Sequence, residues 1–321
     1  MFRCLARNEL DRWLKQSELP LGVRNLFNDQ RQKIATGLHD FLRHAAETAV
    51  GTTCEEGEVN NPSEPKSDGP YFNHLSALAF TKRLPLSLLA EAARSATLPQ
   101  NLRREVARTA WLRSVLIEED DFETATKLEP VLHEVDPALW NAMVPFRSAK
   151  TADAKRFIAI FIVLNNPGLK PYVREGALRS ATLGESDEFR DNWWCADMSG
   201  EQNWGKYEPY NKDVNLKFTE RESDFPFPVW ESDKDRGAAR REWQKLGTIG
   251  TAPNYLAAQV LGHAKDHEED ERVPQALHLA VRATHLGCTN AETVQLSKAA
   301  FNSLHEHYPK SEWAVTTKYY Y

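Results

Sequence analysis

Apolar residues recur at three- and four-residue steps through most of this 321-residue chain, and that period constrains its fold more than any other feature. It is the spacing of amphipathic helices packed against one another. Proline near the start and glycine at the end punctuate several of these segments, as Pro274 and Gly287 do around one of them. The pattern therefore predicts an all-α fold. The clearest helical segments are Leu102–Leu116, Arg236–Leu246 ending at Gly247, Pro253–His263, Arg272–Leu286 and Ala291–His307.

Two further segments carry specific helical predictions. Asn28–Val50 reads as one long helix, with its apolar residues on one face and Gly51 at its end. Phe157–Leu164 is apolar on all sides and follows a helix-capping residue, Thr151. A helix without a polar face must be covered by neighbours, so we expect this one at the centre of the molecule.

Shifts in composition divide the chain into five parts. Residues 51–70 contain five acidic residues, one lysine and three prolines, so they predict a solvated linker or loop. Residues 186–235 lack a clear period and are rich in aromatic residues. The predicted organisation is N-terminal helices at 1–50, the linker at 51–70, a helical-hairpin block at 71–185, an irregular aromatic-rich segment at 186–235 and a carboxyl helical block at 236–321.

Charge and hydropathy exclude some classes of partner. The chain has 40 basic and 46 acidic residues, a net charge of −6, which argues against a nucleic-acid partner. No apolar run reaches the roughly 20 residues that a membrane-spanning helix needs, so no membrane insertion is predicted. The amino terminus lacks the apolar stretch of a signal peptide. As written, the chain is predicted to be cytoplasmic, and exported or periplasmic if a leader has been removed.

Motifs for catalysis and metal binding are missing from the sequence. There is no HExxH, GxSxG, GxxxxGK[ST] or GxGxxG pattern, so we predict no catalytic residue and no cofactor. The four cysteines are widely spaced without a CxxC pair, which predicts free thiols. A weaker alternative is a metal site, because certain histidines and one cysteine share helix faces. These are His263 with His267, and His278 and His285 with Cys288.

The last sixty residues carry a family resemblance. With Pro309 taken as the closing proline of a repeat, Ser297 falls at the small-residue position and Phe301 at the aromatic position. Leu304 stands where alanine is usual, and the preceding helix lacks the signature residues. On these positions the chain resembles degenerate tetratricopeptide-like (TPR-like) helical-repeat proteins of an uncharacterised bacterial type. The resemblance implies an α-solenoid of stacked antiparallel hairpins whose groove binds a protein or peptide partner.

Two groups of residues are candidates for contacting that partner. Arg104 and Arg108 share a helix face and suit an acidic peptide or a phosphate group. The aromatic-rich segment contributes the other group, which lines a cleft under one interpretation and plugs the junction between helical blocks under the other. Its candidate residues are Trp193, Trp194, Trp204, Tyr207, Tyr210 and Trp230. The tyrosines at 319–321 are expected to pack back onto the last helix.

The functional hypothesis is therefore a non-catalytic protein- or peptide-binding scaffold. The alternative is an all-α hydrolase or lyase acting on carbohydrate or cell-wall polymer through residues 186–235, whose rings would stack on sugars. Its acid and base would come from the carboxylates of that segment, Asp187, Asp191, Asp197, Glu201 and Glu208. The sequence leaves the partner's identity and the oligomeric state open.

Overall fold

The computed structural model describes residues 2–16, 18–48, 70–118, 122–174, 193–194, 228–286 and 288–321. Within these ranges the fold is all-α, with fifteen helices and no strand, which confirms the prediction of an all-helical chain. The helices are α1 (Phe2–Leu14), α2 (Leu21–Lys33), α3 (Leu38–Thr48), α4 (His74–Lys82), α5 (Leu86–Arg94), α6 (Gln100–Ile117), α7 (Glu123–Val135), α8 (Pro137–Ala142), α9 (Val144–Ser148), α10 (Ala152–Asn165), α11 (Asp233–Ile249), α12 (Ala252–Asp266), α13 (Val273–Leu286), α14 (Ala291–His307) and α15 (Glu312–Thr316).

Several helices begin where the sequence places a capping side chain. The Thr151 hydroxyl accepts the Ala154 N–H at 3.1 Å at the start of α10, and Ser311 does the same for Ala314 at the start of α15. At the start of α14 the Asn290 side chain accepts hydrogen bonds from backbone N–H groups of the first turn. The Asn290 backbone N–H in turn donates to the Thr293 hydroxyl. These contacts satisfy N–H groups that have no partner inside the helix.

The prediction of one helix over Asn28–Val50 is wrong, because the chain breaks between α2, which ends at Lys33, and α3. The Asp40 carboxylate accepts the Thr36 N–H at 3.1 Å, a contact that caps the beginning of α3. Gly37 lies inside the break and is a poor helix former. A local capping contact and a glycine therefore outweigh the continuous apolar stripe.

The predicted end of the first carboxyl helix at Gly247 is wrong. Helix α11 does not end at Gly247 but continues to Ile249 and ends at Gly250, whose φ of +76° lies in the region that glycine adopts without strain. Helix α12 also runs past its predicted end at His263, to Asp266, and Gly262 lies inside it. A glycine inside a helix costs only about 1 kcal/mol relative to alanine, so packing can override it.

Helix α10 lies at the centre, as predicted from its apolar residues. All residues of Phe157–Leu164 except Phe161 are buried, and the helix contacts α9, α12 and α13. Helices adjacent in the chain pack side by side, as α5 does with α6, α6 with α7, α12 with α13 and α13 with α14. One hydrophobic core runs from Ala35 to Ala314, so the amino and carboxyl helices share it. In the ranges described, no helix combines the length and apolarity that crossing a membrane requires.

Candidate functional site

An open cleft of about 380 Å³ lies where α5 and α7 begin, α6 ends and α11 passes over them. We call it the glutamate cleft. Its polar walls come from both halves of the chain, because α11 lies far beyond α5–α7 in sequence. The residues that define it are Leu86, Ser87, Glu118, Arg241, Glu242 and Lys245.

Glu242 reaches from α11 to the beginning of α5. One of its carboxylate oxygens, Oε2, accepts the Leu86 N–H at 2.7 Å and so caps the first turn of α5. The other oxygen has no hydrogen bond to any described residue. Because Glu242 lines the cleft, this oxygen is available to a ligand.

Glu118 does the same for another helix. Its Oε2 atom accepts the Thr124 N–H at 3.2 Å in the first turn of α7 and the Ser114 hydroxyl at 2.5 Å. Its Oε1 atom accepts the Thr124 hydroxyl. Both Glu118 oxygens are therefore engaged within the fold, whereas only one oxygen of Glu242 has a hydrogen-bond partner among the described residues.

The surroundings of Glu242 change its acidity. Burial raises the pKa of its carboxyl above the usual range, and the nearby Glu118 carboxylate adds to the rise. The Leu86 N–H and the positive charges of Arg113 and Arg241 oppose it but do not cancel it. A carboxyl with a raised pKa and one open oxygen can bind a ligand group or exchange a proton with it.

The cleft's two cations differ in their engagement. Lys245 Nζ donates to the Ile117 carbonyl at 2.6 Å, at the end of α6. Arg241 is exposed and makes no hydrogen bond or ion pair with the described part of the chain. Its guanidinium passes over Gly237, where an added Cβ would lie 3.2 Å from it. Arg241 therefore offers an anionic group a positive charge that no described residue engages.

The basic residues predicted on α6 mostly serve the fold. Arg103 forms a two-bond ion pair with Glu134, at 2.6 and 2.9 Å. Arg108 Nε lies 2.5 Å from the Asp136 carboxylate. Arg104 alone of this group has no partner among the described residues. The prediction that Arg104 and Arg108 dock an acidic peptide remains a prediction, and Arg104 is the side chain left to carry it.

Three of the predicted aromatic candidates can be placed. Trp193 and Trp194 are buried; the Trp193 indole N–H donates to the Val163 carbonyl at 3.1 Å, and the Trp194 carbonyl accepts the Ala252 N–H at 3.0 Å. Trp230 is partly buried, with its ring 6.3 Å from that of Phe41. These contacts favour the plug interpretation for these three. The remaining candidates, Trp204, Tyr207 and Tyr210, and the carboxylates of the alternative hypothesis, lie outside the described residues.

A smaller pocket of about 180 Å³ lies beside Trp193, between α10, α13 and α15. His278 and Trp313 form part of its wall, with ring centroids 5.2 Å apart. The amide of Asn165 is already bonded to the Phe161 carbonyl at 2.8 Å. The polar groups of this smaller pocket are therefore largely occupied. The glutamate cleft is the better candidate for a functional site.

The histidines predicted as a weak metal site are engaged in packing. His263 stacks on Phe157 with centroids 3.6 Å apart, and its Nε2 atom lies 3.3 Å from Asp270. His285 stacks on Tyr321 at 3.8 Å. Among the residues that the structure describes, no three His, Cys, Asp or Glu side chains are grouped as metal ligands.

Cys288 is in a disulfide bond, so the prediction of free thiols is wrong for this cysteine. The partner sulfur lies outside the described side chains. Wide spacing along the chain predicted free thiols, but spacing does not report which sulfurs the fold brings together.

Comparison with known protein families, with curated proteins and with solved structures finds no match to this chain. Sequence reasoning missed Glu118, Arg241 and Glu242, because each looks like an ordinary charge on a solvated helix. Only the packing of α11 against the ends of α5, α6 and α7 brings them together.

Proposed function

We propose that this protein is a non-catalytic binding scaffold, and that a protein or peptide partner contacts it at the glutamate cleft. The observation that carries the proposal is the set of polar groups left unengaged there. The Arg241 guanidinium, the second Glu242 oxygen and the Ser87 hydroxyl line one open space and have no partner among the described residues. Polar groups without partners in a cleft are available for recognition.

The chemistry of these groups defines a matching ligand. Arg241 pairs with a carboxylate, and Glu242 accepts a hydrogen bond from a donor such as an amide or an ammonium group. A peptide segment with an acidic side chain and backbone N–H groups supplies both. The cleft volume is at the low end of ligand pockets, which suits side chains of a docked segment rather than a large cofactor.

The proposed architecture is a stack of degenerate TPR-like hairpins. Side-by-side packing of helices adjacent in the chain supports it, as does the burial of Ser297 and the partial burial of Phe301 on α14, the small and aromatic positions of the resemblance. Helical hairpins hide their apolar faces by stacking, and a stack leaves surfaces for partners.

A photo-crosslinking experiment tests the proposed function. A benzophenone amino acid replaces Ser87 in the cleft or, as a matched control, Lys298 on the exposed face of α14. We expect a defined adduct with a protein partner from position 87 only, and its loss when Arg241→Glu reverses the cleft's free charge. Identical adducts from both positions, or adducts indifferent to Arg241→Glu, would contradict the proposal.

The alternative remains an all-α hydrolase or lyase acting on a carbohydrate polymer, and one observation favours moving it to the glutamate cleft. Glu242 combines a raised pKa with an open oxygen and has Glu118 beside it, features of a proton-transfer group. This reading predicts release of sugar fragments from cell-wall polymer that is lost in Glu242→Gln. Wild-type protein that releases none, while crosslinking a partner, would exclude it.

For the compartment, we propose export rather than residence in the cytoplasm. The disulfide at Cys288 supports this, because disulfides persist in oxidising compartments and are rare in the cytosol. Cell fractionation with the full-length protein is the test. Recovery only in the cytosol, with all cysteines reduced, would contradict it.

A further inference from the structure

The segment 317–321 follows α15 without helical structure and lies against α13 and α14. It is held first at Thr317, which is buried. The Thr317 carbonyl accepts a hydrogen bond from His305 Nε2 at 2.8 Å. Its hydroxyl donates to the Trp313 carbonyl of α15 at 2.7 Å, and the hydroxyl oxygen lies 2.7 Å from His278 Nδ1. One histidine on each helix therefore holds a single residue of the segment.

The other end of the segment is held by a backbone contact and a ring. The Tyr321 N–H donates to the Ser297 hydroxyl at 3.0 Å, and Ser297 in turn accepts the Thr284 hydroxyl at 2.8 Å. The Tyr321 ring stacks on His285 with centroids 3.8 Å apart. Because serine is small, the backbone of the segment can approach α14 this closely.

Between Thr317 and Tyr321, the segment makes one further ring contact, at Tyr320, and its tyrosines stay accessible. The Tyr320 ring lies 5.5 Å from that of Phe301. Tyr320 and Tyr321 keep 42% and 46% of their surface exposed, and Tyr319 keeps 70%. The ring contacts differ from the expectation of packing onto the last helix, because Tyr321 contacts α13 and Tyr320 contacts α14 rather than α15. Tyr319 makes no ring contact with the described residues. Few contacts hold this segment, and its three tyrosines are exposed. Another peptide segment can therefore replace it.

We propose that the groove between α13 and α14 is a peptide-binding site that the chain's own segment 317–321 occupies until a partner's segment displaces it. We call it the tail groove. Its ligand is an extended peptide with a hydroxyl residue followed at the third and fourth positions by aromatic residues. The groups that define the groove are His278, His285, Ser297, Phe301 and His305. The inference rests on the proposed function, because it names a class of partner for the binding scaffold.

The contacts themselves say which features a ligand needs. The Thr317 carbonyl and the Tyr321 N–H are backbone groups that every residue except proline has, so any extended segment can provide them. Selectivity comes from the hydroxyl at His278 and from the rings at His285 and Phe301. A foreign segment with the same pattern makes the same contacts and competes directly with residues 317–321.

The test uses the full chain and a fluorescein-labelled peptide with the sequence of residues 312–321. Tyr320→Ser with Tyr321→Ser removes both ring contacts and releases the chain's own segment. We expect this double variant to bind the peptide at least ten-fold more tightly than the wild type, by fluorescence polarisation. Tyr319→Ser is the matched control, because it removes an exposed tyrosine without a ring contact, and it should behave as the wild type does.

Two further measurements complete the test. Adding His285→Ala to the released variant should abolish peptide binding while far-ultraviolet circular dichroism stays unchanged. The single variants Tyr320→Ser and Tyr321→Ser repeat the test if the double variant loses helicity. Equal peptide affinity in the wild type, the Tyr319→Ser control and every released variant overturns the inference. The proposed function is judged separately by crosslinking at Ser87, which does not involve the tail groove.

Discussion

Glu231 has the environment least like that of a surface carboxylate. Its side chain is buried, and neither oxygen has a hydrogen-bond partner; nor does the neighbouring Trp230 indole N–H within the described residues. Burial raises the pKa of Glu231 to about 8, with Asp235 adding to the rise and Arg236 opposing it. The carboxyl is therefore protonated in the folded protein at neutral pH, but ionised in the unfolded chain.

This difference predicts how stability depends on pH. Because the folded pKa lies above the ordinary value of 4.5, the protein loses stability as pH rises from about 4.5 to about 8. At about 1.4 kcal/mol per pKa unit, the loss is on the order of 3–5 kcal/mol. We expect Glu231→Gln to remove this loss and to raise the melting temperature at pH 8 but little at pH 4.5. Thermal melts across this range check it, with Glu306→Gln on an exposed face of α14 as the control.

Cys288 gives a second prediction for a single residue. Protein purified without reductant and denatured should titrate at most two thiols of the four cysteines, and four after reduction. Cys288→Ser should cost about 2–4 kcal/mol of unfolding free energy, the usual contribution of a disulfide. Four reactive thiols before reduction would show that the bond does not form.

Arg113 connects several elements through their backbones. Its buried guanidinium donates to the carbonyls of Thr81 and Pro171, each at 2.6 Å, and to that of Leu84 at 3.5 Å. Burial lowers its pKa to about 10, while Glu242 opposes the shift. These hydrogen bonds connect helix α6 to the end of α4 and to the turn between α4 and α5.

Replacing Arg113 and Arg104 in turn compares a buried arginine that bonds several carbonyls with one that has no partner among the described residues. We expect Arg113→Met to cost about 3–5 kcal/mol, because three buried carbonyls lose their donor. Arg104→Ala, on the same helix but without a partner in the described residues, should change stability by less than about 0.5 kcal/mol. Urea unfolding of the two variants gives the comparison, and similar losses in both would contradict it.

The elements also show what a sequence can predict. Helical periodicity located α6, α10, α13 and α14, because apolar residues recur along each of them at three- and four-residue steps. It missed the break before α3, which depends on a side-chain cap from Asp40, and the end of α11 at Gly250, which depends on a positive φ. The glutamate cleft could not be predicted, because Glu118 and Glu242 meet only through long-range packing.

At the scale of the whole molecule, the single core predicts cooperative unfolding. Buried residues from the amino and carboxyl helices belong to one cluster, so neither block has a separate core to retain. Leu112→Ala in α6 and Leu277→Ala in α13 both empty fully buried positions and should each cost about 2–5 kcal/mol. Each variant should shift one common transition, measured by circular dichroism and tryptophan fluorescence. Two separate transitions, with each variant affecting only one, would indicate independent domains.

Glu118 and Glu242 each satisfy the first turn of a helix to which they do not belong. A guest molecule that drew either carboxylate toward itself would leave amide protons of α7 or α5 without an acceptor. Ligand binding in the glutamate cleft is thus coupled to fraying of the first turns of α5 and α7. The molecules that bind most tightly there are those that engage Arg241 and the open Glu242 oxygen without moving either carboxylate.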